Sequence, residues 1–151
     1  MNKIAYLAML AATAVAVPAV AQDAPVAAQE GMEQFSPAQR FGYGLFLISK
    51  KYVEITSSPE LEQNPDAAAE QIEALTQVIY SLYEIPMNDA DRAELQVIQS
   101  KLLVTEEYND IQSRGGMAAT KIKAADYYGS ERLRSAIRDF TMGAMGFRRG
   151  E

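Results

Sequence analysis

The sequence predicts an all-α protein, an antiparallel bundle of about four principal helices, preceded by an N-terminal export signal and a short leader. Three observations carry this. Apolar residues recur at spacings of three and four along most of the chain beyond residue 36, the repeat of a helix with one buried face. These stretches open on cap-plus-proline or serine signals at Ser36-Pro37, Asn64-Pro65 and Ser130, where helices start. No segment sustains the period-two alternation of a half-buried strand.

The first residues read as a secretory signal peptide. Met1-Asn2-Lys3 is a short positive start, Ile4 to Val20 is almost wholly apolar, and Ala19-Val20-Ala21 is a small-x-small triplet behind Pro18. That order of regions marks a cleavable signal over residues 1–21. An uncleaved anchor is the alternative, but a span needs about 20 apolar residues, and this run is shorter and holds a proline. The mature chain is then expected to begin at Gln22, with a flexible leader over 22–35 and one helical domain over 36–151. No later apolar run has spanning length, so no transmembrane segment is expected in the mature chain.

The chain has 151 residues and no cysteine. Small exported domains of animals and plants usually carry disulfides. Their absence points to a bacterial envelope protein, periplasmic most simply, with secretion beyond the envelope as the alternative. A lipidated-cysteine anchor is excluded outright. Net charge is −6, with 14 basic and 20 acidic residues; nucleic-acid binding normally leaves a basic footprint and is disfavoured.

The helices follow in order. Ser36, Pro37 and Gln39 form a capping box with proline at the first helical position. Phe41, Leu45, Ile48, Tyr52 and Ile55 then share one face, and the helix is expected to end near 56–58, ahead of Pro59. Ser58-Pro59-Glu60 starts a single short turn. The second long helix opens at Asn64-Pro65-Asp66, carries Ala68, Ile72, Leu75, Val78, Ile79, Leu82 and Tyr83 on its apolar face, and stops before Pro86. A third is expected from Asn88 or Asp89 to about Arg114, ended by Gly115-Gly116, with Val97, Ile98, Leu102, Val104, Tyr108 and Ile111 inward. Its apolar residues cover over half its circumference in places, the pattern of a central element. An alanine-rich segment, Met117 to Tyr128, is punctuated by Gly129, and Ser130 caps a last helix bearing Leu133, Ala136, Ile137, Phe140, Ala144 and Phe147.

Chemistry is constrained by what is missing. There is no histidine and no cysteine. The usual neutral-pH acid/base, Ser-His and Cys-His nucleophile pairs, and imidazole or thiolate ligands for zinc, haem or iron–sulfur clusters are therefore all absent. No cofactor, metal or catalytic residue is assigned, and the chain is expected not to be an enzyme. Carboxylates remain. Asp89, Asp91 and Glu94 lie at a helix start, where capping and the helix dipole already explain acidic residues. Glu70 and Glu73 are a turn apart on a face expected to be solvated.

Charge is segregated along the chain. Glu54 to Asp110 holds thirteen acidic and two basic residues; Arg114 to Arg149 holds eight basic and three acidic. One expectation is internal: the basic third lies against the acidic middle and their fields cancel. The other is an outward surface. Arg132, Arg134, Arg138, Met142, Met145, Arg148 and Arg149 are the candidate contact residues, joining basic heads to adaptable methionines. Their expected partner is an envelope protein, a peptide or an anionic surface. Tyr80, Tyr83, Tyr127 and Tyr128 are candidates for lining a groove. The alternatives to contact binding are a carrier holding a small apolar ligand between helices and a carboxylate-based hydrolase.

Overall fold

A computed structural model describes residues 34–147. The expected signal peptide, most of the expected leader and the last four residues lie outside the described residues. Among the described residues there is no strand. The elements are α1 (Pro37–Thr56), α2 (Glu60–Gln63), α3 (Pro65–Tyr83), α4 (Asp89–Leu103), α5 (Glu106–Ala124), a 3₁₀ turn (Asp126–Gly129) and α6 (Glu131–Ala144).

Local chemistry sets most of the starts. Ser36 Oγ accepts from the Gln39 N–H at 3.1 Å while Gln39 Oε1 accepts from the Ser36 N–H. Asn64 Oδ1 accepts from the Ala67 N–H, and Ser130 Oγ from the Leu133 N–H. Each bond satisfies a donor that an α-helix leaves free in its first turn.

The third predicted helix is two helices. The chain breaks at Val104-Thr105, and Thr105 builds the break with one hydroxyl. It donates to the Leu102 carbonyl at 2.7 Å, closing α4, and accepts from the Tyr108 N–H at 3.2 Å, opening α5. Glu106 and Glu107 then sit in the first turn of α5, where the dipole favours them. Gly115-Gly116 does not end a helix; both residues lie inside α5. A Cβ at Gly115 would stand 3.1 Å from Val53 Cγ2, so this glycine lets α5 approach α1. Nor is this region central. Val104 is 81% exposed, Val97 points to solvent, and Ile98 is the one buried residue of α4.

The centre is α3. Ala69, Ile72, Leu75 and Ile79 are sealed from solvent along one face and meet Ile48 of α1, Ile122 of α5, and Leu133 and Phe140 of α6. Burying one such isoleucine contributes about 1.5–3 kcal/mol. Tyr52 stacks on Phe140 with centroids 4.0 Å apart and planes 6° from parallel. A second cluster joins Phe46, Leu47 and Val53 of α1 to Ile111 of α5, and Phe35, from the end of the expected leader, is buried in it.

Helix directions follow from which residues meet. Phe41 packs on Tyr83, and Gly44 lies against Leu82, so α1 and α3 run antiparallel. Ser130 bonds Asp66, Gly143 lies against Thr76 and Tyr80, and Gly146 against Tyr83. The numbers rise together, so α3 and α6 run parallel. Lys50–Glu107 and Val53–Gly115 make α1 and α5 parallel as well. The bundle is therefore not antiparallel throughout.

Between α5 and α6 the backbone is left-handed for four residues. Asp126, Tyr127, Tyr128 and Gly129 have φ of 45°, 55°, 53° and 76°. Each non-glycine residue there costs roughly 1–2 kcal/mol. The compensation is visible: Tyr127 and Tyr128 pack against the main core, Asp126 pairs with Arg134 at 2.6 Å, and that guanidinium lies 5.1 Å from the Tyr127 ring centroid.

Candidate functional site

Helix α6 turns Leu133, Ala136, Phe140 and Gly143 inward. At helical pitch this leaves Arg134, Arg138, Met142 and Met145 on the opposite stripe, spaced by four, four and three. Gly143 allows the inward fit, since a Cβ there would stand 3.2 Å from the Tyr80 ring.

The end of α6 adds to this stripe. Gly146 has φ of 86°, its N–H donates to the Gly143 carbonyl at 2.9 Å, and the Phe147 N–H donates to the Met142 carbonyl at 3.0 Å. This pair of bonds is a Schellman motif, and it folds Phe147 back toward the turn that carries Met142. The Tyr83 hydroxyl donates to the Ala144 carbonyl at 3.1 Å, tying the end of α3 to the same place. Tyr83, Met142, Met145 and Phe147 are all exposed there, Met145 by 58% and Phe147 by 57%. The apolar spacing predicts Phe147 and Tyr83 on the buried faces of their helices; instead Phe147 lies beyond the end of α6 and both are exposed. Gly146 followed by an aromatic residue was the signal for the first; the second depended on how α3 and α6 meet.

The basic residues divide into two groups. Arg132 turns away from the stripe and grips Glu73 of α3 with both arms, Nε to Oε1 at 3.0 Å and Nη2 to Oε2 at 2.7 Å. Glu73 accordingly raises the Arg132 pKa above its usual value. Lys121 reaches Glu62 on α2, which raises its pKa too. Lys50 pairs with Glu107 at 2.6 Å, and that hydrogen bond outweighs desolvation in raising the lysine pKa. Arg134 is held by Asp126 and Glu131. Exposed pairs contribute little to stability, commonly below about 1 kcal/mol each, but they occupy these cations with the chain's own carboxylates. Arg138 differs: only its Nε touches Asp139, the next residue, at 3.3 Å, and its side chain is 62% exposed. Arg148 and Arg149 lie outside the described residues.

The other candidates are placed as follows. Asp91 accepts from the Asn88 N–H at 3.0 Å and its own N–H donates to Asn88 Oδ1, a capping box. Among the described residues no three Asp or Glu side chains converge to hold a metal ion, and no helix is long and apolar enough to cross a membrane. Tyr80 and Tyr83 lie near the end of α6, whereas Tyr127 and Tyr128 lie before its start, so the four tyrosines do not line one groove. A half-enclosed cavity of about 270 Å³ opens instead between α1, α4 and α5.

Compared with protein-family models, with curated proteins and with solved structures, the chain has no match.

Proposed function

We propose that this is an exported, non-catalytic protein of the bacterial envelope that acts by contact, through the C-terminal end of α6. One observation carries the proposal: Arg138, Met142 and Met145 share an outward stripe, and the turn after α6 brings exposed Phe147 beside it. Single exposed apolar residues are ordinary, but a cluster of them marks a contact surface. Methionines let such a surface adapt to its partner. Because Arg132, Lys121 and Lys50 are engaged with internal carboxylates, Arg138 is the described basic group on this helix best placed to meet an acidic partner. The partner is accordingly amphipathic and anionic, a protein, peptide or surface of the envelope. Arg148 and Arg149, which follow directly in sequence, lie outside the described residues.

The test uses the exported chain, whose mass is expected to correspond to Gln22–Glu151. It is immobilised beside a Met142→Ser/Met145→Ser variant and an Arg138→Glu variant, and envelope extract is passed over each at low and at high salt. The expected result is a component retained at least about tenfold better by the unaltered chain than by the methionine variant, a difference of about 1.4 kcal/mol. Loss with Arg138→Glu is expected to be larger at low salt, since exposed charges are screened. Equal retention by all three proteins refutes the proposal.

A further inference from the structure

We infer that the wedge between α1, α4 and α5 is a binding site for a small, uncharged amphiphile. The inference is independent of the α6 surface, because the two sites share no residue.

The wedge exists because the chain breaks at Thr105. A continuous helix would carry Leu102, Leu103 and Tyr108 along one rod. The break turns α5 out of line with α4, and both lie against α1, leaving a cavity of about 270 Å³ at the junction. At its edge Gly42 holds α4 close: a Cβ there would stand 2.9 Å from Ile98 Cγ2 and 3.1 Å from Leu95 Cδ1. Any side chain at Gly42 would push α4 from α1 and reshape the cavity.

The walls choose the ligand. Leu45, Phe46, Leu102 and Leu103 give an apolar body, and Leu103 is 52% exposed. The polar groups are all neutral. Ser49 donates its hydroxyl hydrogen to the Leu45 carbonyl at 2.9 Å, so it offers a lone pair only. Gln99, Gln112 and Tyr108 also line the cavity, and their side chains make no hydrogen bond to another described residue. They present both donors and acceptors to a guest. Among the described residues no charged side chain lines the cavity, and the nearby Lys50–Glu107 pair is satisfied within itself. A charged headgroup would therefore lose water without gaining a counter-ion, which is costly. A neutral amide or hydroxyl would exchange water for these side chains at little loss. An apolar cavity of about 150 Å³ accommodates benzene, so this one takes a guest of about ten heavy atoms. A medium-chain primary amide or alcohol has that size and chemistry.

The experiment titrates the ¹⁵N-labelled mature chain with octanamide, and separately with octanoate and octylammonium, which carry the same tail with opposite charges. Octanamide is expected to shift the backbone amides of Leu45, Phe46, Leu103 and Tyr108 and the side-chain amides of Gln99 and Gln112, saturably. The two ions are expected to bind at least about tenfold more weakly. Ser49→Phe fills the cavity and is expected to abolish the shifts. Gln99→Ala/Gln112→Ala alters only exposed side chains, keeps the fold testable, and is expected to weaken binding about three- to tenfold. Absence of saturable shifts, equal binding of octanoate, or shifts confined to Met142, Met145 and Phe147 would each overturn the inference.

Discussion

Replacing Thr105 with alanine tests the architecture most sharply, because the two possible arrangements predict opposite signs. If α4 and α5 were one helix, Thr105 would be an interior residue, and alanine would stabilise it by roughly half a kcal/mol through helix propensity. In the structure the Thr105 hydroxyl closes one helix at the Leu102 carbonyl and opens the next at the Tyr108 N–H. Losing an N-cap costs about 0.5–2 kcal/mol, and a second, partly solvated bond goes with it. The working expectation is a net loss of about 1–2 kcal/mol. Urea unfolding of the mature chain, followed by far-ultraviolet dichroism, reads the difference. With a slope of about 2 kcal/mol per molar, the midpoint should fall by about half to one molar, with the slope unchanged. A midpoint that rises, or does not move, refutes the broken helix and removes the wedge with it.

The paired glycines of α5 give a second comparison. Gly116 has open space where a Cβ would go, whereas Gly115 faces Val53. Gly116→Ala should therefore stabilise by about 0.5–1 kcal/mol, and Gly115→Ala should be at least about 1 kcal/mol worse in the same urea assay; equal effects would mean that α5 does not press on α1 there. Tyr52 gives a third. Burial raises its pKa to about 12, while an unfolded tyrosine ionises near 10. Above pH 10 the unfolded chain loses this proton and the folded chain keeps it. The stabilisation is thus complete below about pH 10 and is lost as pH rises toward 12, by about 2–3 kcal/mol. Tyr52→Phe retains the ring on Phe140 and should flatten that part of the urea midpoint against pH; an unchanged slope would show that Tyr52 is not buried.

Helix starts were largely legible because their chemistry is local. A cap and the N–H it satisfies lie three residues apart, so Ser36, Asn64 and Ser130 announced α1, α3 and α6 without reference to the rest of the fold. Thr105 followed by Glu106 and Glu107 was a signal of the same kind, overridden in the sequence reading by the apolar run from Val97 to Ile111. That run also misplaced the core. Val104 looks inward on a continuous helix, and the break at the next residue turns it to solvent. Gly115-Gly116 read as a helix end because glycine usually marks one, whereas here Gly115 serves the approach of α5 to α1, which no local pattern encodes. The candidate site was half visible. The spacing of Arg138, Met142 and Met145 placed them on one stripe, but which arginines were already engaged required their partners' positions.

The sequence by itself determined the secondary-structure class, most helix beginnings and the exclusion of histidine and cysteine chemistry. These depend on side-chain identity and on contacts within one turn. The tertiary structure alone decided that α3 is central, that α6 runs parallel to it, that Arg132 turns to Glu73, and that Asp126, Tyr127 and Tyr128 adopt a left-handed turn. Each of those depends on residues brought together from distant parts of the chain. A left-handed turn of non-glycine residues is locally unfavourable, and it persists because the core, Arg134 and the Ser130–Asp66 bond hold both of its ends.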